Sequence, residues 1–182
     1  SRLMEQEGIY YYFEHQEGKH TLVLADGPSA HQAFPGYETL PYFPPDKNDA
    51  LRERDHIQHW AVTQSVVPGK YAMRDYDFEK PKVDLMSKLS QDRPHAYPIS
   101  DHEIYDYPGE YKEISDGDNY VETRLQELQA QHERVQASGN ARGLGAGYLF
   151  SLEDYPRKDQ NKEHLVIAVS HNIIAESPET SG

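Results

Sequence analysis

The chain has 182 residues and a formal net charge of −13, from 18 Lys and Arg against 31 Asp and Glu, which argues against a phosphate-backbone partner needing basic side chains to displace counterions. With no cysteine, disulfide scaffolds, thiolate metal sites and cysteine nucleophiles are excluded, and the redox compartment stays open. Apolar residues make up only 36%, yet 14 Tyr and 5 Phe set the chain apart from aromatic-poor disordered sequences and point to a tyrosine-rich β structure.

The pattern changes at one glycine near the start. Leu3 and Met4 sit among helix-favouring Arg, Glu and Gln, and Gly8 falls where a helix commonly ends in a left-handed residue. Ile9 to Phe13 is then β-branched and aromatic, the composition of a strand. Ser1 leaves room for barely two helical turns, so the sequence reads as cut from a longer chain inside a helix. Gln16-Glu17-Gly18-Lys19 predicts a hairpin turn, with His20 to Asp26 as the returning strand. From Gly27 to Asp49, prolines at 28, 35, 41, 44 and 45 predict an irregular linker that closes a small α/β lobe over residues 1–49. Tyr37, Tyr42 and Phe43 within it are expected to dock rather than flex.

Residues 50–182 read as a succession of strands with one helix. Ile57 to Ser65 alternates, with Trp60 and Val62 on one face and Ile57, His59 and Ala61 on the other. Pro68-Gly69 makes a turn, and Lys70 to Phe78 is strand-like, setting Ala72, Tyr76 and Phe78 opposite Tyr71 and Met73. Glu79 to Pro98 is ambiguous, since Val83, Leu85, Met86 and Leu89 fit a short helix while Pro81, Pro94 and Pro98 favour extended chain. Glu103 to Tyr107 returns to strand. A helix is predicted over 118–138, capped by Asp116 or Asp118, with Val121, Leu125, Leu128, His132 and Val135 as its apolar stripe and Gly139 as its end. Tyr148 to Glu153 and His164 to Ile173 close the chain as strands. The fold class is α+β, mainly β.

Chemistry-bearing patterns are weak throughout. Gly143-Leu-Gly145-Ala-Gly147 has the look of a phosphate loop, but it follows the predicted helix and opens a strand, the reverse of what phosphate binding needs. His56 with His59, and His164 with His171, do not converge on one strand face, so structural histidines are the default against a metal site assembled from distant residues. Asp75, Asp77, Asp101, Glu103 and Asp106 crowd neighbouring segments as an acidic chain will, and a hydrolase would need a cleft that divides their roles. No Gly-x-Ser-x-Gly elbow is present. In Glu103 to Tyr111, aromatic side chains could stack on sugars in a carbohydrate-binding module, but packing or assembly is the stronger reading. Tyr105, Tyr107, Tyr111, Trp60, Tyr76 and Phe78 are therefore the packing or assembly candidates, with no catalytic, cofactor or metal residues assigned.

Four blocks taken in order carry a resemblance: Leu3 to His15 with His20 to Asp26; Val67 to Phe78; Tyr105 to Tyr111 with Arg124 to Leu128; and Arg142 to Leu152, ending near Asn161 and Ser170-His171. In this order the chain resembles the VgrG family, the spike proteins of bacterial type VI secretion systems. The resemblance implies a structural piece similar to the hub of contractile phage tails, with residues 50–182 as most of a tube-protein-like antiparallel β-barrel braced by its helix. It implies a homotrimer in the full-length protein, a hexameric tube protein beneath it, baseplate and effector proteins as partners, no nucleic acid, and a target membrane touched only by a tip absent here. It also implies cytoplasmic assembly followed by secretion, no enzymatic residues in this region, and a first barrel, needle and effector extension outside this stretch. The tail Ser177 to Gly182 would then leave an unpaired barrel edge.

Overall fold

The computed structural model describes residues 2–45, 54–91 and 102–173. In chain order the elements are α1 (Arg2–Gln6), β1 (Tyr10–Gln16), β2 (Lys19–Ala25), β3 (Gln32–Ala33), β4 (Thr39–Pro41), β5 (Ile57–Gln64), β6 (Lys70–Asp75), β7 (Leu85–Ser90), β8 (Glu103–Asp106), α2 (Ile114–Gln129), β9 (Glu133–Gly139), β10 (Tyr148–Glu153) and β11 (Glu163–Leu165). The α+β, mainly β class holds. Among the described residues the strands form four sheets of two to four strands. Two compact units are built from interleaved segments, one of Ser1–Tyr11, Leu24–Gly27 and Ala61–Gln136, the other of Tyr12–Val23, Pro28–Trp60 and Ala137–Gly182. The expectations that involve Ser1, Asp49, Pro94, Pro98, Asp101 and residues 177–182 lie outside the described residues.

In the first unit, β6 is the centre of a three-stranded sheet ordered β7-β6-β8. β7 runs antiparallel to it, from Lys70↔Ser90 to Asp75↔Leu85, and β8 runs parallel, from Lys70↔Glu103 to Met73↔Asp106. The helix α2 buries Gly117, Val121, Leu125 and Gln129, a stripe at intervals of four, and packs on β6 and β7. Tyr71, Met73, Leu85, Tyr111, Val121 and Leu125 form the core, with Leu89, Ile104, Tyr120 and Leu128 packed against it.

Tyr111 is the piece that locks this core. Its ring lies where a side chain on either of two glycines would sit: a Cβ on Gly109 would be 2.2 Å from the ring and one on Gly117 2.5 Å. Its hydroxyl lies 3.0 Å from the Met73 carbonyl and 2.6 Å from that of Leu85, so it donates to the sheet from below the helix. Gly8 of the same unit has the expected left-handed backbone, φ +71°, where α1 stops, and a Cβ there would come within 3.2 Å of Thr123 Cγ2 on α2.

The second unit is organised on β10. β11 pairs with it antiparallel, while β3 and β4 pair with it parallel, Leu149 opposite Ala33 and Leu152 opposite Leu40. Residues 32–33 and 39–41 are thus short strands inside the stretch read from its prolines as irregular. The prolines only keep the strands short, and Pro41 closes β4 at the last position of its ladder, where a residue without an N–H is tolerated. Docking of the aromatics holds: Tyr37 hydroxyl donates to Asp55, Tyr42 meets Tyr155 edge-on at 4.7 Å, and Phe43 meets His56 at 5.5 Å.

The helix prediction needs correction at both ends. Its N-cap is Glu113, with no side-chain cap bond; Asp118 instead accepts from Ser87 Oγ. It ends at Gln129, because Gln131 N–H donates to Leu128 O and His132 N–H to Gln129 O, which tightens the last turn. His132 and Val135 then leave the stripe, and 133–139 form β9, paired with β5. Gly139 ends that strand rather than the helix; a Cβ on it would strike His56 O at 2.1 Å.

Three further boundaries move for hydrogen-bonding reasons. β6 stops at Asp75, since Asp75 Oδ1 accepts from Tyr76 N–H and Asp77 Oδ1 from Glu79 N–H, turning the chain away from the ladder before Tyr76 and Phe78. The ambiguous stretch after Glu79 contains β7, a strand, because β6 supplies a partner at every position of it. β11 ends at Leu165: β10 begins at Tyr148, whose carbonyl accepts from Val166 N–H, and beyond it the partner strand has run out.

Alanine in a helix interior normally gains about 0.8–1.0 kcal/mol over glycine. At Gly117 it has to displace the Tyr111 ring, an overpacking cost of about 1–3 kcal/mol. Gly117→Ala is expected to lower the urea midpoint, and a raised midpoint would remove the ring as the constraint. Burial also pushes the Tyr71 and Tyr111 phenols above their ordinary value of 10.0. Because the folded values are the higher ones, stability is intact below pH 10.0 and falls as pH rises through the folded values. Tyr71→Phe is expected to flatten that alkaline loss, measured by denaturant unfolding across the alkaline range.

Candidate functional site

The six aromatic candidates divide into two kinds. Trp60 and Tyr111 are buried, at 8% and 5% exposure, whereas Tyr105, Tyr107, Tyr76 and Phe78 are exposed at 54%, 57%, 58% and 75%. Strand alternation explains the outward members on β8. Ile104 turns to the core, and Tyr105, opposite Ala72 in register, lies on the other face of the sheet. Asp106 Oδ1 accepts from Tyr107 N–H just past the strand. Tyr76 and Phe78 follow the end of β6. The first unit therefore carries four exposed rings on or just beyond two adjacent strands. The third tyrosine of the Glu103 to Tyr111 motif is core, so the motif does not present all three rings to a sugar.

A cleft of about 200 Å³ lies in the same unit, lined by Lys80, Val83, Asp84, Lys112, Glu113 and Ile114 among others. Four of its charged groups are in ion pairs, and Asp77 accepts from Glu79 N–H. Lys80 Nζ is 3.2 Å from Glu113 Oε1, Lys112 Nζ is 4.0 Å from Glu79, and Arg74 is 3.2 Å from Asp84. These are exposed pairs, worth about 0–1 kcal/mol each. No histidine or activated hydroxyl lines the cleft.

Of the aspartates considered for acid–base work, Asp75, Asp77 and Asp106 accept backbone N–H groups at turns. Asp75 takes the N–H groups of Tyr76 and Tyr111, Asp77 that of Glu79, and Asp106 that of Tyr107 together with the Tyr71 hydroxyl at 3.4 Å. The histidines considered for a metal, His56, His59, His164 and His171, have separate surroundings. His56 Nδ1 is 2.7 Å from Arg54 O, His59 is exposed, His164 Nε2 is 2.9 Å from Gln160 O, and His171 Nε2 is 3.0 Å from Leu144 O. Among the described residues, no group of three or more His, Cys, Asp or Glu is arranged to hold a metal ion.

In the second unit, Trp60 is the centre of an aromatic cluster with Phe150, Tyr155 and His164 at 6.2, 6.2 and 4.7 Å. Its indole N–H donates to Oε1 of the fully buried Gln160 at 3.2 Å. The glycine-rich loop follows β9 and opens β10, with no helix at its end. Its glycines make room for rings: a Cβ on Gly143 would sit 2.2 Å from Tyr37, and one on Gly147, whose φ is +90°, 2.2 Å from Tyr12. What resembles a phosphate cradle is tyrosine packing.

One juxtaposition escaped the sequence reading. His15 and His20 face each other across the β1–β2 turn, Nδ1 to Nδ1 at 2.6 Å. Their positions on either side of a predicted two-residue turn were the signal for it.

The chain belongs to the phage tail baseplate hub (GPD) family, which it matches over residues 1–177. Among its relatives are the type VI secretion system spike proteins VgrG1b and VgrG1a of Pseudomonas aeruginosa, each 47% identical, over 100% and 99% of this chain. The actin cross-linking toxin VgrG1 of Vibrio cholerae is 26% identical over 93% of it. The chain spans about a quarter of the length of the two Pseudomonas proteins, 24% and 27%, and 15% of the toxin. The resemblance to VgrG spike proteins therefore holds across the chain.

Trp60→Phe keeps a ring in the cluster but leaves the Gln160 oxygen without its indole donor, at a cost of about 1–3 kcal/mol. Denaturant unfolding is expected to show that loss. A stability unchanged from the parent would mean that the indole bond contributes nothing net.

Proposed function

We propose that the chain is a structural part of a type VI secretion spike hub, contributing to a trimeric ring that caps the hexameric tube and travels with it to puncture target cells and deliver effectors. The observation that carries this reading is the match to the baseplate hub family over residues 1–177, joined to 47% identity with spike proteins along the whole chain. The site geometry supports a mechanical role: the described candidate aspartates are engaged in turns, Lys80, Asp84, Lys112 and Glu113 of the cleft in ion pairs, and four of the candidate rings are exposed on one unit.

In this reading residues 1–49 form the lobe and 50–182 most of a tube-like barrel, to be completed by chain or subunits beyond the described sheets. Tyr76, Phe78, Tyr105 and Tyr107 are its assembly surface, since exposed aromatics concentrate at interface centres. The chain acts without catalytic residues or cofactor and without nucleic acid. Its partners are two further copies, the tube protein, and baseplate and effector proteins, with membrane contact left to a distal tip. It is assembled in the bacterial cytoplasm and then secreted. The actin cross-linking named for the Vibrio relative is that protein's own.

The test is a chain lengthened at both ends along the family's sequence, analysed for oligomeric state and tube-protein binding. A trimer that captures the tube protein is expected, and a monomer that binds none would overturn the reading. In the lengthened chain, Phe78→Ser with Tyr105→Ser is expected to weaken assembly by about 2 kcal/mol or more, the scale of a hot spot, with little change in unfolding because both rings are exposed.

A further inference from the structure

The geometry points to a binding site for a divalent first-row transition metal ion at the tip of the β1–β2 hairpin, with His15 and His20 as its two protein ligands. β1 and β2 have seven residues each and are joined by Glu17 and Gly18, the latter at φ +69°, so residue 15 lies across from residue 20. In a two-residue hairpin, the pair flanking the turn exchanges hydrogen bonds and the next pair does not. That second kind of pair brings its side chains closest. His15 and His20 are such a pair, with rings 4.8 Å apart edge to face and Nδ1 atoms 2.6 Å apart.

Two ring nitrogens at that distance need something positive between them, because two imidazole lone pairs repel. In the neutral pair one Nδ1–H donates to the other Nδ1. A metal ion meets the same requirement. With M–N distances of about 2.0–2.1 Å, two nitrogens on one ion stand roughly 2.9–3.4 Å apart. The pair has to open by roughly 0.3–0.8 Å, and both rings are exposed. The donor ring moves its proton from Nδ1 to Nε2, so both Nδ1 lone pairs reach the metal with no change in charge on the protein. Phe13, nearly parallel to the His15 ring at 6.3 Å, stands beside it on the same strand and limits its rotation.

The ligand set selects the ion. Imidazole suits copper, nickel and zinc, and two neutral nitrogens with water in the remaining positions offer nothing to calcium or magnesium, which prefer oxygen. The chain's charge of −13 attracts any dication to it. Neither histidine is among the residues assigned to assembly.

The experiment titrates the whole chain with Cu²⁺, Ni²⁺, Zn²⁺ and Mg²⁺ in turn, following heat by calorimetry and the histidine ring signals by NMR with the diamagnetic Zn²⁺. One equivalent is expected to bind with Cu²⁺ tightest and Mg²⁺ absent, and Zn²⁺ is expected to shift the His15 and His20 rings ahead of exposed His59. Losing an outer-shell partner alone costs 10–100-fold in metal affinity, so His15→Gln and His20→Gln are each expected to weaken binding at least about tenfold, while His59→Gln keeps it. Binding that survives either hairpin substitution overturns the assignment. So does a Zn²⁺ titration of the unaltered chain in which these two rings do not move, which needs no variant to fold.

Discussion

The Tyr111 ring, held between Gly109 and Gly117 with its hydroxyl on the carbonyls of β6 and β7, is the contact on which the first unit depends. It joins three things in one side chain: the loop after β8, the sheet, and the first turn of α2. The helix can lie close to the sheet only because Gly117 has no Cβ, and the loop can pass the ring only because Gly109 has none. The buried hydroxyl finds acceptors in the Met73 and Leu85 carbonyls, so the ring enters the core without an unpaired O–H.

The same solution recurs in the second unit. Tyr12 lies over Gly147 and Tyr37 over Gly143, each ring in the space a side chain would take, while their hydroxyls donate to Ala30 O and Asp55. A chain with only 36% apolar residues and 14 tyrosines builds its interior from rings that are apolar on their faces and polar at one end. Such packing tolerates little change in shape, because glycine on one side and a planar ring on the other leave no slack. Rigidity of this kind is what the assembly role proposed for the chain requires.

The division among the aromatics follows from the same economy. Trp60 and Tyr111 have partners for both face and polar atom, and they are buried. Tyr76, Phe78, Tyr105 and Tyr107 stand where strand alternation or an aspartate turn directs the chain outward. The carboxylates at those turns are engaged by backbone N–H groups, so this set of aspartates shapes the surface.

Local patterns were legible from the residues alone. The α1 stop at Gly8, the hairpin at Glu17-Gly18, strands β5, β8 and β10, and the buried face of α2 through Leu125 each rest on neighbours within a few positions, where glycine chemistry and periodicity act. The ordered blocks also carried the family. Where the helix ends was not legible, because Leu128, His132 and Val135 keep a helical spacing and only pairing with β5 makes 133–139 a strand. Nor was the role of residues 32–41, whose prolines signal a loop until β10 offers a ladder. Tertiary structure alone decided these, and which tyrosines are inside, because hydrogen-bond partners and ring-sized gaps come from segments tens of residues away.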